Sequence, residues 1–164
     1  MRELTADRLR AIMNYDLTTG VFTWLCRKGG TACKGATAGT IEINGYLRIG
    51  IDRHIYRAHR LAWLYVHGVW PTGEIDHIDG DKANNRIENL RDVSRMTNQQ
   101  NMRGPHKRGN SGFLGVSRHA STGKWRARIC INGKNKSLGL YASKEDASSA
   151  YINAKRNFHQ GSTL

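Results

Sequence analysis

Acidic residues are scarce in this sequence of 164 residues. Lys and Arg number 26 against 13 Asp and Glu, which gives a formal net charge of +13 and an isoelectric point near 10.2. No acidic residue occurs between Asp92 and Glu145, although Lys and Arg recur throughout that stretch. A surface with so few carboxylates is unsuited to a cationic partner. A polyanion, above all nucleic acid, is the partner that it indicates.

Cysteine is also sparse, and its spacing excludes two classes of small domain. Cys26, Cys33 and Cys130 are odd in number and form no C-x-x-C pair, so neither a zinc knuckle nor a disulfide framework is predicted. The longest apolar run, Leu61 to Val66, is far too short to cross a bilayer, and the amino terminus has no signal-peptide pattern. We therefore expect a soluble, cytoplasmic protein with free thiols, folded as one domain or two small ones.

The first part of the chain predicts a small scaffold of helices and short strands. Thr5 is placed to cap a helix, and the pair Asn44-Gly45 between two short apolar runs predicts the turn of a β-hairpin. Gly68 follows a segment with helical apolar spacing and is placed to end it. The predicted elements are a helix containing Leu9, Ile12 and Met13, a strand over 21–25, the hairpin over 41–49 and a buried helix over Tyr56–His67.

The stretch 74–101 carries the side chains best suited to chemistry. It predicts a strand over 74–77, a polar turn, a return strand over 90–93 and a helix capped by Ser94. Folded back, this unit would bring Asp76 and His77 opposite Asn98, so that two hard oxygen ligands lie beside an imidazole. Such ligands favour Mg²⁺ or Mn²⁺, and the imidazole could take a proton from water. The D-x-x-D-G-D run alone is equally typical of a solvated turn, so only the joint pattern indicates a site.

The string D-H-I-D-G-D-K-A-N-N-R-I-E-N-L, followed by a helical Asn, resembles the HNH or ββα-metal nuclease motif of phage and homing endonucleases. The preceding Y-R-A-H-R-L-A-W resembles the lead-in helix of these proteins. The resemblance implies that His77 is the general base and that Asp76 and Asn98 hold one divalent ion, Mg²⁺ or Mn²⁺. It implies that Asn89 ties the loop together and helps hold the base. A nuclease domain over residues 1–102 that hydrolyses phosphodiester bonds in duplex DNA is the corresponding expectation.

The remainder of the chain predicts a second, smaller module. A basic stretch with Gly and Pro over 103–112 predicts a linker. Three strands are then predicted over 113–118, 124–131 and 134–141, and Ser143 is placed to cap a helix with an apolar stripe. Apolar and basic residues alternate along the second strand, so one sheet face should pack on the helix while the other is cationic. A sheet of this width can enter a major groove.

The strings G-V-S-R, G-K-W-R-A-R-I and S-L-G-L-Y and the helix K-E-D-A-S-S-A-Y resemble the Apetala-two/ethylene-response-factor DNA-binding domain. The corresponding domain would span 113–164. The sequence departs from the family at Ser117, Arg128 and Ser137, so the family's sequence preference is not carried over. The resemblance implies an outward sheet face that contacts double-stranded DNA through Arg118, Lys124, Arg126, Arg128, Lys134 and Lys136.

Together these patterns predict the α+β class: a ββα-metal HNH nuclease domain followed by a small three-stranded antiparallel sheet packed on one helix. Two functions are open at this point. One is a metal-dependent endonuclease, and the other is a non-catalytic DNA-binding or regulatory protein with a degenerate HNH core. Structured RNA is a weaker candidate ligand, because the deep, narrow major groove of an RNA helix does not admit a sheet. No pattern in the sequence indicates membrane association or an obligate protein partner.

Overall fold

The structure is a computed structural model, and it describes residues 4–26, 33–102, 104, 111–159 and 161–162. The chain is of the α+β class, as predicted, and divides into two compact units, Met1–Ser94 and Arg95–Leu164. This division lies eight residues before the end of the predicted nuclease domain. The predicted boundaries at 102 and 112 stay predictions, and most of the predicted linker, Arg103 and residues 105–110, lies outside the described residues.

The first unit begins with helix α1, Ala6–Ile12, whose predicted cap is confirmed. The Thr5 side chain accepts a hydrogen bond of 3.2 Å from the Arg8 backbone N–H. Met13, which the periodicity assigned to this helix, instead begins strand β1, Met13–Tyr15. That strand pairs antiparallel with β2, Phe22–Trp24. The prediction for Met13 was wrong because pairing opposite Trp24 outweighs one more residue of helix, a gain that local spacing does not reveal.

A three-stranded sheet follows, built from β3, Thr40–Ile41, β4, Leu47–Ile51, and β5, His54–Arg57. Gly45 has φ +87° in the predicted turn between β3 and β4. The second turn uses Asp52 and Arg53, both with positive φ, 47° and 69°. A turn without Gly gives a weak sequence signal, and for this reason Tyr56 and Arg57 were wrongly assigned to the next helix.

That helix, α2, runs over Ala58–His67 and ends at Gly68 in the left-handed conformation, as predicted. Strand β6, Glu74–His77, is then joined by a loop and a short 3₁₀ turn, Ile87–Asn89, to strand β7, Leu90–Val93. The two strands pair antiparallel, which confirms the predicted strand, loop and return strand. Buried apolar residues on α1, α2 and these strands form one core, which includes Leu9, Phe22, Ile49, Leu61, Leu64, Ile75 and Leu90.

The second unit begins with helix α3, Arg95–Gln100. A sheet of β8, Val116–Arg118, β9, Trp125–Ile131, and β10, Lys134–Tyr141, has the spatial order β10-β9-β8. Helix α4, Lys144–Phe158, is capped by the Ser143 side chain, as predicted. Its small core joins Val116 and Ala127 of the sheet to Ala147 of the helix. Across the described parts of the chain, every helix is too short or too polar to span a bilayer.

We expect Gly20→Ala to destabilise the protein more than Gly68→Ala. Both glycines have positive φ, +72° and +79°, so either alanine incurs left-handed strain of about 1–2 kcal/mol. Only at residue 20 would the new Cβ meet backbone, 2.5 Å from the Arg86 nitrogen, whereas nothing lies within 4 Å at residue 68. Chemical denaturation measures both variants. Equal losses of unfolding free energy in the two variants would contradict the close approach of Gly20 to the Arg86 backbone.

Candidate active site and nucleic-acid interface

The pairing of β6 with β7 positions the Asp76 carboxylate. Asp76 lies directly opposite Arg91, and only 5% of its surface is exposed. The Arg91 guanidinium donates to the Asp76 Oδ2 atom through Nη2 at 2.6 Å and through Nε at 2.8 Å. Two charge-assisted hydrogen bonds to one oxygen fix the orientation of the carboxylate. Arg91 was not among the predicted site residues, since only the strand register shows that it faces Asp76.

His77, the next residue along β6, lies in a buried aromatic environment. Its ring is perpendicular to the His59 ring at 5.1 Å between centres, and the Tyr46 ring lies at 6.0 Å. Burial lowers the pKa of His77, although a contact of 3.4 Å between Nε2 and the Asn85 Oδ1 and the nearby Asp79 carboxylate act in the opposite direction. The imidazole is therefore neutral near neutral pH. A neutral imidazole can accept a proton from water.

His59, on α2, is the second buried imidazole of this environment. Burial, and to a smaller extent the neighbouring His77, lowers the pKa of His59 to about 3. Its Nδ1 atom is buried without a hydrogen-bond partner among the described residues. The His59 ring is perpendicular to the His77 ring and tilted against the Tyr46 ring, with ring centres 5.1 Å and 5.3 Å apart.

Asn89 closes the loop between the two strands. Its Oδ1 accepts from the Asp79 backbone N–H at 3.0 Å, and its Nδ2 donates to the Asp79 Oδ1 and to the Asn84 carbonyl, each at 2.9 Å. Burial alone would raise the pKa of Asp79. Hydrogen bonds from the Asn84 side chain, from the Asp81 backbone and from Asn89 outweigh burial and lower it. The loop is thus held by one buried amide that uses both its donor and its acceptor.

Asn85 is a residue of this site that the sequence analysis missed. It is 1% exposed, and its carbonyl accepts a hydrogen bond of 2.7 Å from the Tyr15 hydroxyl. Its side chain contacts His77 through Oδ1 and donates to the Ala83 carbonyl through Nδ2. An Asn-Asn pair in a polar loop is typical of an exposed turn, and no local signal distinguishes the buried Asn85 from the half-buried Asn84.

The remaining predicted ligand, Asn98, lies half-buried on α3, in the second unit. Within the described residues, no group of three or more His, Cys, Asp or Glu side chains is arranged to hold a metal ion. The two predicted oxygen donors are the Asp76 carboxylate and the Asn98 amide. This donor set is compatible with Mg²⁺, which usually takes one or two carboxylates and keeps several waters.

The sheet of the second unit sorts the predicted DNA-binding residues onto two faces. Arg126 and Arg128 alternate along β9 with the buried Ala127 and Ile129. Since Ala127 packs with Ala147 of α4, both arginines lie on the face opposite that helix, which we call the open face. The Nε atom of Arg126 is buried and has no hydrogen-bond partner among the described residues. Lys124, directly before β9, is exposed.

The register assigns the other three residues to the face that carries α4, because directly paired residues of an antiparallel sheet share a face. Arg118 pairs with Trp125, and its guanidinium carbon lies 5.6 Å from the centre of that ring. The Lys136 ammonium lies 5.0 Å from the ring centre of Phe158 in α4, and Lys134 is two residues away on the same strand. The expectation that Arg118, Lys134 and Lys136 project from the outward face is therefore corrected.

A comparison with protein families identifies the segment that holds the buried histidines. The HNH endonuclease family model matches residues 56–103. We call the matched residues the HNH segment. It contains α2, the β6–β7 hairpin and α3, and it includes His59, Asp76, His77, Asn89 and Asn98. The resemblance to HNH endonucleases is thus confirmed over this segment.

Curated relatives match both parts of the chain. Protein 3.8 of Escherichia phage T7 is 37% identical over 79 residues, which cover 48% of this chain and 64% of that protein. Two AP2-like ethylene-responsive transcription factors of Arabidopsis thaliana are 30% and 28% identical to this chain. Each match covers 81% of this chain, but only 28% and 24% of the two transcription factors. The chain thus spans less than two thirds of the length of these relatives.

A solved structure of the HNH homing endonuclease I-HmuI, described as showing DNA binding and cleavage, aligns with 92% of this chain and 88% of its own at 24% identity, with a TM-score of 0.45.

We expect Asn89→Ala to lower the unfolding free energy by about 1–3 kcal/mol, because it removes the buried amide that accepts from the Asp79 N–H. Asn84→Ala is the matched control, since the half-buried Asn84 side chain donates one hydrogen bond of 2.6 Å to the same carboxylate. Thermal or chemical denaturation measures both variants, and amide hydrogen exchange follows the Asp79 N–H. An equal effect of the two substitutions would show that Asn89 does not hold the loop.

Proposed function

We propose that this chain is a metal-dependent HNH endonuclease that hydrolyses phosphodiester bonds in duplex DNA. The observation that carries the proposal is the buried, neutral imidazole of His77, which directly follows the buried Asp76 on a hairpin within the HNH segment. A basic sheet on the same chain supports a polyanionic substrate. The chain spans less than two thirds of the length of its curated relatives, so the proposed activity is argued from this chain's own residues.

His77 is the proposed general base. It takes a proton from the attacking water as the new phosphorus–oxygen bond forms and the bond to the leaving oxygen breaks. Burial suits this role, because an imidazole that stays neutral is ready to accept a proton across the neutral pH range. Asn85, His59 and Tyr46 surround the ring and limit its rotation. Asn89 acts indirectly, by holding the loop that begins directly after the base.

Asp76 and Asn98 are the residues that we propose hold one divalent ion. Their carboxylate and amide oxygens are hard donors, which suit Mg²⁺ or Mn²⁺. When bound, such an ion supplies positive charge to the phosphate and to the leaving oxygen. Arg91 keeps the Asp76 carboxylate oriented through two contacts to one of its oxygens. The pairing of Asp76 with Asn98 is proposed from the sequence pattern, since the two residues belong to different compact units.

The open face is the proposed DNA contact of the second unit. Arg126 and Arg128 lie there, with Lys124 beside them, and the buried Arg126 Nε atom has a donor that a DNA acceptor could satisfy. An unpaired buried donor costs free energy in the isolated protein, so its pairing on binding is favourable. Arg118, Lys134 and Lys136 lie on the helix-bearing face, and we propose phosphate contacts at the sheet edges for them.

We expect His77→Ala to reduce DNA cleavage by about 10²–10⁴-fold, the usual contribution of a general base, while DNA binding is retained. The assay follows nicking and linearisation of plasmid DNA with Mg²⁺, with Mn²⁺ and with EDTA. His67→Ala is the control, because His67 is an exposed residue on α2. Wild-type rates in the His77 variant would refute the assignment of the base. A wild-type protein that binds DNA but cuts none with either ion would favour the non-catalytic alternative.

We expect Arg128→Ala to weaken duplex binding and to reduce the slope of log affinity against log salt by about 0.9, the value for one phosphate contact. Arg156→Ala removes the same charge from an exposed position on α4 and should leave the slope unchanged. Fluorescence anisotropy over a salt series measures both. The same slope change in the two variants would indicate that net charge, and not the open face, governs binding.

A further inference from the structure

Helix α3 ends the HNH segment in sequence but belongs to the second unit by its contacts. The family match extends to residue 103, whereas the second unit begins at Arg95. The helix has only 6 residues and no fully buried side chain. A helix this short is not stable by itself, so its position depends on the groups that pack against it.

Among the described residues, those groups include the carboxyl-terminal end of α4 and the turn that follows it. The Gly161 backbone N–H donates a hydrogen bond of 3.1 Å to the Gln100 Oε1 atom at the end of α3. A Cβ atom at position 161 would lie 2.6 Å from the Thr97 carbonyl oxygen and 2.7 Å from the Thr97 Cγ2 atom. Only a glycine therefore permits this approach of the chain to the middle of α3.

Lys155 provides a second connection between the two helices. It is 1% exposed, and its ammonium group donates to the carbonyl of Met102, two residues beyond the end of α3. Burying an ammonium is costly unless polar groups receive it. A cation at the carboxyl-terminal end of a helix is also favourable, because the last carbonyls carry partial negative charge. Lys155 thus holds the segment that follows the carboxyl-terminal end of α3, while Gly161 packs against the middle of the helix at Thr97.

We propose that Lys155 and Gly161 are positioning residues for Asn98, so that the second unit supports catalysis beyond its affinity for DNA. The inference rests on the proposed function, in which Asn98 is a metal ligand. Asn98 directly follows Thr97, the residue that Gly161 contacts. A shift of α3 would therefore move the amide of Asn98. Misplacement of a catalytic group by about 1 Å can cost about 10²-fold in rate.

The test compares Gly161→Ala with Gly104→Ala in the full chain. Gly104 is a matched control, because nothing lies within 4 Å of a Cβ placed there and its φ is not in the left-handed range. We expect Gly161→Ala to cut plasmid about 10²-fold more slowly and to need more Mn²⁺ for half its maximal rate. Its affinity for duplex DNA in EDTA should match that of the wild type. Gly104→Ala should match the wild type in all three measurements.

Gln100→Ala is a milder second variant, since it removes the acceptor of the Gly161 N–H without adding an atom. We expect a smaller loss of rate with the same increased Mn²⁺ requirement. Hydrogen exchange of the β9 amides reports whether each variant keeps its sheet. Unchanged rates and Mn²⁺ requirement in both variants, with an active wild type, would overturn this inference alone. Equal losses of DNA affinity and of rate would also overturn it, whereas a wild type that cuts no DNA would overturn the proposed function and this inference together.

Discussion

The antiparallel pairing of β6 with β7 is the constraint on which the candidate site depends. Adjacent residues of a strand point to opposite faces, so the pairing places Asp76 across from Arg91 while the His77 ring meets His59 and Tyr46. A slip of one residue would exchange these two environments. The hydrogen bonds of Asn89 close the intervening loop and thereby oppose such a slip. Strand geometry thus gives the consecutive residues Asp76 and His77 different environments, one charged and one aromatic.

Burial affects the two imidazoles of the first unit in the same direction. Removal from water lowers the pKa of both His77 and His59, so both imidazoles are neutral near neutral pH. The Asp76 carboxylate, buried to a similar degree, lies against the Arg91 guanidinium. The buried Nδ1 atom of His59 has no hydrogen-bond partner in the described part of the chain, and leaving it unpaired lowers the stability of the fold. Buried polar groups of this kind are commonly found where a protein binds a ligand or reacts.

The second unit shows how strand parity divides one basic sequence into two surfaces. Its sheet and helix follow from the alternation on β9, and the predicted strands over 124–131 and 134–141 agree with the structure to within one residue. The first strand is shorter than predicted, because Gly115 has φ +66° and the chain turns there before Val116. The basic residues of β8 and β10 could not be assigned to a face from composition, since the face depends on which residues lie opposite each other. The register places Arg118 beside Trp125 and Lys136 opposite Ile129, on the face where the Lys136 ammonium lies over the Phe158 ring of α4.

The sequence by itself determined the elements whose signals are local: the caps Thr5 and Ser143, the turn at Gly45, the end of α2 at Gly68 and the spacing of Asp76, His77 and Asn89. These follow from the backbone preferences and hydrogen-bonding capacity of a few consecutive residues. Tertiary structure alone decided that Asn85 is buried beside His77, that Arg91 orients Asp76 and that α3 packs with the end of α4. Each of these contacts joins residues brought together by pairing or packing, and their energies depend on partners that local sequence does not specify.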